Sequence, residues 1–316
     1  ISDESFMEWS KDWLSTLKMR ASYGKSGNAR VGSYWRQTYS PVTSTKNLYY
    51  QNEIGQSSLQ PAKRLRNENL TWESKFSTNV GFDLGFFSNR INLTFDYYND
   101  VTKDLIMEVQ LPSNAGYSSQ YQNLGQTTNR GVELSLNANL VQTKDFYLDF
   151  NFNIAFNKNK VDALYGANGD EMILSGGGTE TGSDNYRVFV GQEVGLMYGY
   201  VSDGMYSFDD FTFNPTTKKW DIVTTKDENG VPIVTDCSGV LSRAGGYFGP
   251  GHMKLKDLNG DGVIDADNDR KVIGHALPKH TGGFSFNAGW KGFDVTAMFN
   301  WSYGNDILHI NKVDYT

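Results

Sequence analysis

The sequence predicts an all-β fold: part of an antiparallel up-and-down transmembrane β-barrel, with short periplasmic turns and long extracellular loops. Three observations predict it. Long strands alternate apolar and polar residues, tight turns alternate with long connections, and a polar average composition comes with many aromatics. The clearest strand is FYLDFNFNIAFN at 146–157. Phe146, Leu148, Phe150, Phe152, Ile154 and Phe156 fall on one side, and Tyr147, Asp149, Asn151, Asn153 and Asn157 on the other. Successive strand side chains point to opposite faces, so the segment wants hydrocarbon on one face and water on the other. Its length is about that of a tilted strand crossing a bilayer, roughly 9–11 residues.

The pattern recurs from the start of the chain to its end. Leu17, Met19, Ala21 and Tyr23 oppose Lys18, Arg20 and Ser22. Val80, Phe82, Leu84 and Phe86 oppose Asn79, Gly81, Asp83 and Gly85. Ile91, Leu93, Phe95 and Tyr97 follow, then Val132, Leu134, Leu136, Ala138 and Leu140. Phe284, Phe286, Ala288 and Trp290 precede Phe293, Val295, Ala297, Phe299 and Trp301, which makes about seven strands by period-two matching. Three tight turns, around 87–90, 141–145 and 291–292, alternate with long connections at 24–75, 102–129 and 158–280. A barrel sorts its loops in this way, whereas a soluble β-sandwich has no reason to. Residues 158–280 are too long for a simple loop and must hold an even number of crossings, none included. A hairpin between 193–208 and 247–258 is expected there, beside a flexible Gly/Ser/Thr tract at 175–184. No closing strand is visible, and an open edge cannot face lipid, so residues 1–316 read as part of a single barrel domain.

Composition narrows the class. The balance of 29 basic and 36 acidic side chains gives −7, which argues for no nucleic-acid partner. Aromatics at 14%, 33 glycines and a mean hydropathy of −0.51 suit a wet interior with a greasy outer band. No apolar run approaches the ~18 residues of a membrane helix, which says nothing against a barrel. The opening ISDESFMEW carries no basic-then-apolar leader, so either the protein stays inside or these residues are a fragment of a longer precursor. Cys237 is the sole cysteine, so no intrachain disulfide is expected.

The strongest chemical motif is DLNGDGVIDADND at 257–269. Asp257, Asn259, Asp261, the Val263 carbonyl and Asp265 match the oxygen-ligand positions of an EF-hand-type calcium loop, with Gly262 at the sharp turn. The twelfth position is Asn268, so Asp269 is the candidate that closes the set. An Asx-rich turn held by its own backbone bonds explains the same residues. A calcium ion here would stiffen the loop and catalyse nothing. His252, His275 and His280 match no ligand spacing and read as scattered. No nucleophile–base, phosphate-loop or dinucleotide pattern is present, so no catalytic residue and no organic cofactor is expected. Tyr34, Trp35, Tyr39, Tyr49, Tyr50, Tyr117 and Tyr121 sit in polar connections, where they bind a ligand or partner, pack the loops against each other, or form the aromatic girdle at the bilayer edge. The Asn92 and Asn300 sequons lie mid-strand and read as chance.

Whole phrases of the chain resemble SusC-like (RagA-type) TonB-dependent transporters. They are WLSTLKMRASYGKSGN (13–28), NENLTWESKFSTNVGFDLGFFSNRINLTFDYYNDVTKDLI (67–106), NLGQTTNRGVELSL (123–136) and the passage at 247–307. The resemblance implies an outer-membrane barrel of about 22 strands, of which this chain covers a middle-to-late portion. It implies a plug domain and a TonB-contacting segment elsewhere in the protein. It also implies a SusD-like surface lipoprotein as partner, and non-enzymatic import of oligosaccharides or peptides across the outer membrane of a Gram-negative bacterium. The family's acidic loop usually runs D-x-N-G-D-G-x-I-D-x-x-D, and here an extra residue displaces its last acidic positions. A different class of function remains open: a soluble extracellular β-rich binding or adhesion module with a calcium-stabilised loop.

Overall fold

A computed structural model describes residues 4–10, 12–28, 39–41, 59–61, 64–164, 171–174, 185–225, 227–228, 230, 234–241 and 248–309. The tract at 175–184 and Tyr34, Trp35, Tyr49, Tyr50 and Tyr247 lie outside the described residues. In chain order the strands are β1 (Leu14–Asn28), β2 (Tyr39–Pro41), β3 (Leu59–Pro61), β4 (Arg64–Leu65), β5 (Glu73–Phe86), β6 (Ile91–Gln110), β7 (Ser119–Gln142), β8 (Phe146–Ala163) and β9 (Glu171–Leu174). They continue as β10 (Tyr186–Phe189), β11 (Leu196–Tyr200), β12 (Ser202–Met205), β13 (Phe211–Asn214), β14 (Lys219–Ile222), β15 (Met253–Leu255), β16 (Arg270–His275), β17 (His280–Trp290) and β18 (Phe293–Tyr303). They fall into two compact units. One comprises Ile1–Met172, Val188–Val194 and Leu277–Asn305, the other Ile173–Arg187, Gly195–Ala276 and Asp306–Thr316.

The first unit is built on one sheet in the order β1-β5-β6-β7-β8-β17-β18, with the short β4 pairing parallel to β7. All six long-strand pairings are antiparallel, and the seven strands follow chain order. This is an up-and-down arrangement in which, among the described residues, β1 and β18 each pair on one side only. Because side chains alternate, the register decides whether seven amphipathic strands make two clean faces or a mixture. It makes two clean faces. Leu17, Leu84, Leu93, Leu136, Phe152, Phe284 and Phe299 form one unbroken row across all seven strands. One residue along, the row reads Lys18, Asp83, Thr94, Ser135, Asn153, Gly283 and Asn300.

Side chains on the apolar face touch one another sideways. The rings of Phe284 and Phe299 stack at 4.8 Å, and those of Phe150 and Phe286 lie 4.9 Å apart. Met19 and Phe299 nevertheless remain more than half exposed. Bulky aromatics mark both margins of the band: Trp13, Phe87, Trp290 and Phe293 near the tight turns, Tyr23, Tyr97 and Tyr303 at the far side. Amphipathic rings favour such margins. The turn between β17 and β18 is the two-residue Lys291-Gly292, both with positive φ (48° and 91°), the twist that a short hairpin needs.

The expected 102–129 connection proves to be mostly strand. β6 and β7 remain paired out to Gln110 and Ser119, so only 111–118 connects them. At 20 and 24 residues these strands run well past what a bilayer needs. In β6 the consecutive apolar residues Leu105, Ile106 and Met107 and a register shift between Thr102 and Ile106 break the alternation that reveals a strand, while the backbone ladder continues. Likewise β1 stays paired with β5 as far as Asn28 and Glu73.

The second unit has a core of the ordinary kind: Tyr206, Phe211, Val234, Cys237, Leu255 and Ile264. The Tyr206 hydroxyl donates to the Thr235 carbonyl and accepts from the Cys237 amide at 3.2 Å. Burial pushes that phenol well above its usual range, so it stays neutral. The expected hairpin is present as β12 with β15, pairing Ser202 with Leu255 and Met205 with Met253. β11, however, pairs with β16, bringing Tyr198 opposite Val272.

Candidate functional site

The polar face of the seven-stranded sheet is the candidate site, and glycine shapes it. Arg20 on β1 lies opposite Gly81 on β5, which lies opposite Asp96 on β6. The guanidinium passes over Gly81 to Asp96 Oδ2 at 3.1 Å, while its Nε and Nη2 donate to Asp83 at 3.0 Å each. A Cβ at residue 81 would collide with Asp96 Oδ1 and stand 2.8 Å from Arg20 Nη2. The same device recurs twice. Tyr98 reaches over Gly131 to Asn157 at 2.9 Å, and Tyr147 reaches over Gly289 to Asp294 at 2.8 Å. Each bridge spans two inter-strand spacings, about 9.5 Å, which only a strand without a side chain at the crossing permits. Lys75 with Asp100 at 2.7 Å and Asn151 with Ser285 at 3.2 Å complete a hydrogen-bonding wall.

These groups are partly exposed, as a water-lined surface requires. The wall carries charges, amides and hydroxyls, groups that bind polar solutes and water. Sequence alternation placed Arg20, Gly81, Asp83 and Asp96 on one face. The bridges themselves were missed, and a glycine midway along a polar face is the signal that marks them.

Beyond the apolar band, where β4 meets β7, Arg64 forks onto Glu108 at 2.7 and 3.1 Å. Ser119 and Tyr121 donate to the same carboxylate at 2.5 and 3.2 Å. The Arg64 hydrogen bonds hold Glu108 below the usual carboxylate range, and burial pushes the Tyr121 phenol up. The guanidinium also lies 5.1 Å over the Tyr121 ring. Tyr121 therefore packs this junction.

The acidic loop sits in the second unit and is pinned at its middle. Ile264 is buried, and the backbones of Gly262 and Ile264 pair with Asp236 at 2.9 and 3.0 Å. Asp257 accepts from the Gly260 and Gly262 amides, both at 2.6 Å. Asn259 accepts from Asp261, Asp261 from Val263, and Asp265 from Asp267 and Asn268. These bonds from Asn268, first, hold the exposed Asp265 carboxyl below its usual range. Asp269 is fully buried, and its two oxygens accept from Leu258 and Asp265, both at 2.8 Å. The hard oxygen donors suit calcium in kind. The geometry is that of a self-bonded Asx turn, and among the described residues no three His, Cys, Asp or Glu side chains converge as a metal cluster. His252 lies against the Gly249 carbonyl, His275 is in β16, and His280 accepts from the Trp301 indole at 3.1 Å. Cys237 is buried in the second unit's core.

Sequence reading also passed over an aromatic cluster on the β13–β14 hairpin. Trp220 lies 5.7 Å from Phe208 and 5.2 Å from Phe213, both exposed rings.

Comparison with known proteins accounts for this architecture. The profile of the family described as "TonB dependent receptor-like, beta-barrel" matches residues 8–314. A TonB-dependent receptor of Formosa agariphila is 33% identical over 315 residues, covering 97% of this chain and 28% of its own length. The TonB-dependent receptor SusC of Bacteroides thetaiotaomicron is 27% identical over 314 residues, covering 98% and 27%. Among solved structures, the RagAB peptide importer in its closed-closed state superposes with a TM-score of 0.67 at 25% identity. That match covers 96% of this chain and 28% of that one. The chain thus spans little more than a quarter of the length of the relatives it matches, which leaves its sheet unclosed. With seven strands in register, one apolar face and one bridged polar face, the chain belongs to the non-enzymatic TonB-dependent receptor-like β-barrel family.

Proposed function

We propose that residues 1–316 are part of a single outer-membrane barrel domain, with a long extracellular insertion at about 158–280. The whole protein imports oligosaccharides or peptides into a Gram-negative bacterium, driven through TonB and assisted by a SusD-like surface lipoprotein. The observation that carries this reading is the adjacent pair of seven-residue rows, one wholly apolar and one polar save for Gly283. An apolar face this wide has no use in water, and a polar face bridged strand to strand suits a wet lumen. TonB would engage segments outside these residues. The likeness to a peptide importer favours the peptide branch. The test is fractionation and growth with the native protein. The reading expects it in the outer-membrane fraction, soluble only with detergent, and expects growth on peptides or on glycans as sole source to fail when it or TonB is deleted. A protein monodisperse in buffer without detergent overturns the barrel reading and restores the soluble-module alternative.

We also propose calcium as a stiffener of the 257–269 loop, held by Asp257, Asn259, Asp261, Asp265 and the Val263 carbonyl. Asp269 then serves as an internal brace. Calorimetric titration of the native protein is expected to show heat and a raised melting temperature. Neither appearing ends the idea.

A further inference from the structure

One surface of the barrel has no use in transport: the outward row just past the apolar band, on the side away from the tight turns. On β7 and β8 the last apolar pair is Val132 with Phe156, and the next outward pair is Arg130 with Lys158. Both are exposed, and neither makes an ion pair among the described residues. Lys160 is next along β8, with Asp162 at 3.4 Å from its ammonium, so Arg130 and Lys158 are the cations of this group without an ion pair among the described residues. On the neighbouring strands Lys25 and Lys103 flank the Phe76 ring at 5.1 and 5.8 Å, on the same outward face.

Like charges directly opposite each other on paired strands destabilise a sheet. Arg130 and Lys158 stand in that relation, side chains turned outward, at the level where hydrocarbon gives way to headgroups. By contrast, Arg90 at the tight-turn side donates to the Asn139 and Leu140 carbonyls at 3.3 and 3.0 Å. An external anion at bilayer depth resolves the repulsion, and a guanidinium beside ammonium groups is suited to phosphate.

We infer that Arg130, Lys158 and Lys160, with Lys25 and Lys103 alongside, form a docking surface for the anionic phosphomonoester groups of lipids in the leaflet on the long-loop side, which a zwitterionic phosphodiester lipid does not satisfy. The inference rests on the membrane reading above, and the occupant is a lipid of the surrounding bilayer that bears an anionic phosphomonoester. Basic side chains at an anionic lipid surface strengthen binding about fivefold each.

The native protein is reconstituted in phosphatidylcholine nanodiscs and titrated with phosphorylated lipid A, with its dephosphorylated form, and with inorganic phosphate. The melting temperature and bound lipid are read by scanning and native mass spectrometry. The wild type is expected to bind and be stabilised by the phosphorylated lipid alone. Arg130→Gln with Lys158→Gln is expected to lose roughly 30-fold in apparent affinity, and Arg130→Lys with Lys158→Arg to recover it. Equal binding by wild type and the glutamine double variant, or an equal response to dephosphorylated lipid or free phosphate, overturns the inference. A protein that needs neither nanodisc nor detergent overturns the membrane reading instead, so the two failures are distinguishable.

Discussion

The two units of this chain solve the burial problem in opposite ways. The second unit hides Tyr206, Phe211, Cys237, Leu255 and Ile264 from everything around them, as a water-soluble domain does. In the seven-stranded sheet the rows meant for burial lie open: Phe299 and Met19 are each more than half exposed. Such a sheet is held by its backbone ladder and cross-strand contacts, and its apolar face is completed by the solvent it meets. The lesson is that burial measured within a protein says little about a membrane wall, where register does the work that packing does elsewhere. The two units should accordingly fail under different substitutions.

The largest expected effect is in the conventional core. Ile264→Ala removes a buried side chain that anchors the acidic loop beside Asp236, and loss of about 2–5 kcal/mol is expected for that unit. Hydrogen exchange in the native protein should rise across 195–276 while β5 to β8 stay protected. Exchange rising in both units alike would show that they do not fold by separate means.

In the sheet, the decisive variable is which face a charge lands on. Leu136→Arg places a cation in the seven-residue apolar row and is expected to cost about 2–4 kcal/mol near the bilayer centre. Ser135→Arg, one residue earlier, faces the polar wall and should be nearly silent. Membrane-refolding titrations of the pair measure the difference directly. Comparable losses would mean that the faces are assigned wrongly.

The glycine crossings are a finer test of the same wall. At residue 131 a Cβ would stand 2.5 Å from the Phe156 carbonyl oxygen, and equally close to the Tyr98 hydroxyl. Gly131→Ala is expected to destabilise by about 1–3 kcal/mol through overpacking. Tyr98→Phe, which removes only the bond to Asn157, should cost about 0.5–1.5 kcal/mol. A Gly131→Ala loss no larger than that of Tyr98→Phe would show that the strand shifts freely at the crossing.

The sheet was legible because its physics is periodic: Phe146 to Phe156 declare a face by parity alone, and parity survives without any partner in view. The bridge from Arg20 to Asp96 was not, because it depends on Gly81 falling between them, a fact of register across three strands. The extensions at 102–110 and 119–128 were invisible for a related reason. Leu105, Ile106 and Met107 put apolar residues on both faces of one and the ladder shifts register beside them, while the other is mostly polar on both faces, so alternation fails and only the backbone ladder makes them strands. In the second unit, DLNGDGVIDADND announced a turn rich in oxygen ligands. That Asp269 turns inward to bond Leu258 and Asp265 depends on neighbours that spacing does not encode.

The smallest expected effect concerns Arg64 and Glu108, in the strand extension that neither unit's strategy governs. Glu108 is held below its usual range in the folded state, chiefly by Arg64. The contribution is therefore fully present above the unfolded value of about 4.3 and is lost as pH falls through the lower folded value. Both side chains are substantially exposed, so screening limits the pair to less than about 1 kcal/mol. Glu108→Gln should lower the local stability of 105–121 at neutral pH by that amount. The gap from wild type should close on acidification, once Glu108 is protonated in both states. Exchange rates of the two proteins between pH 3 and 7 make the comparison, and a gap that persists below the folded value would show that Ser119 and Tyr121, not the charge pair, hold this junction together.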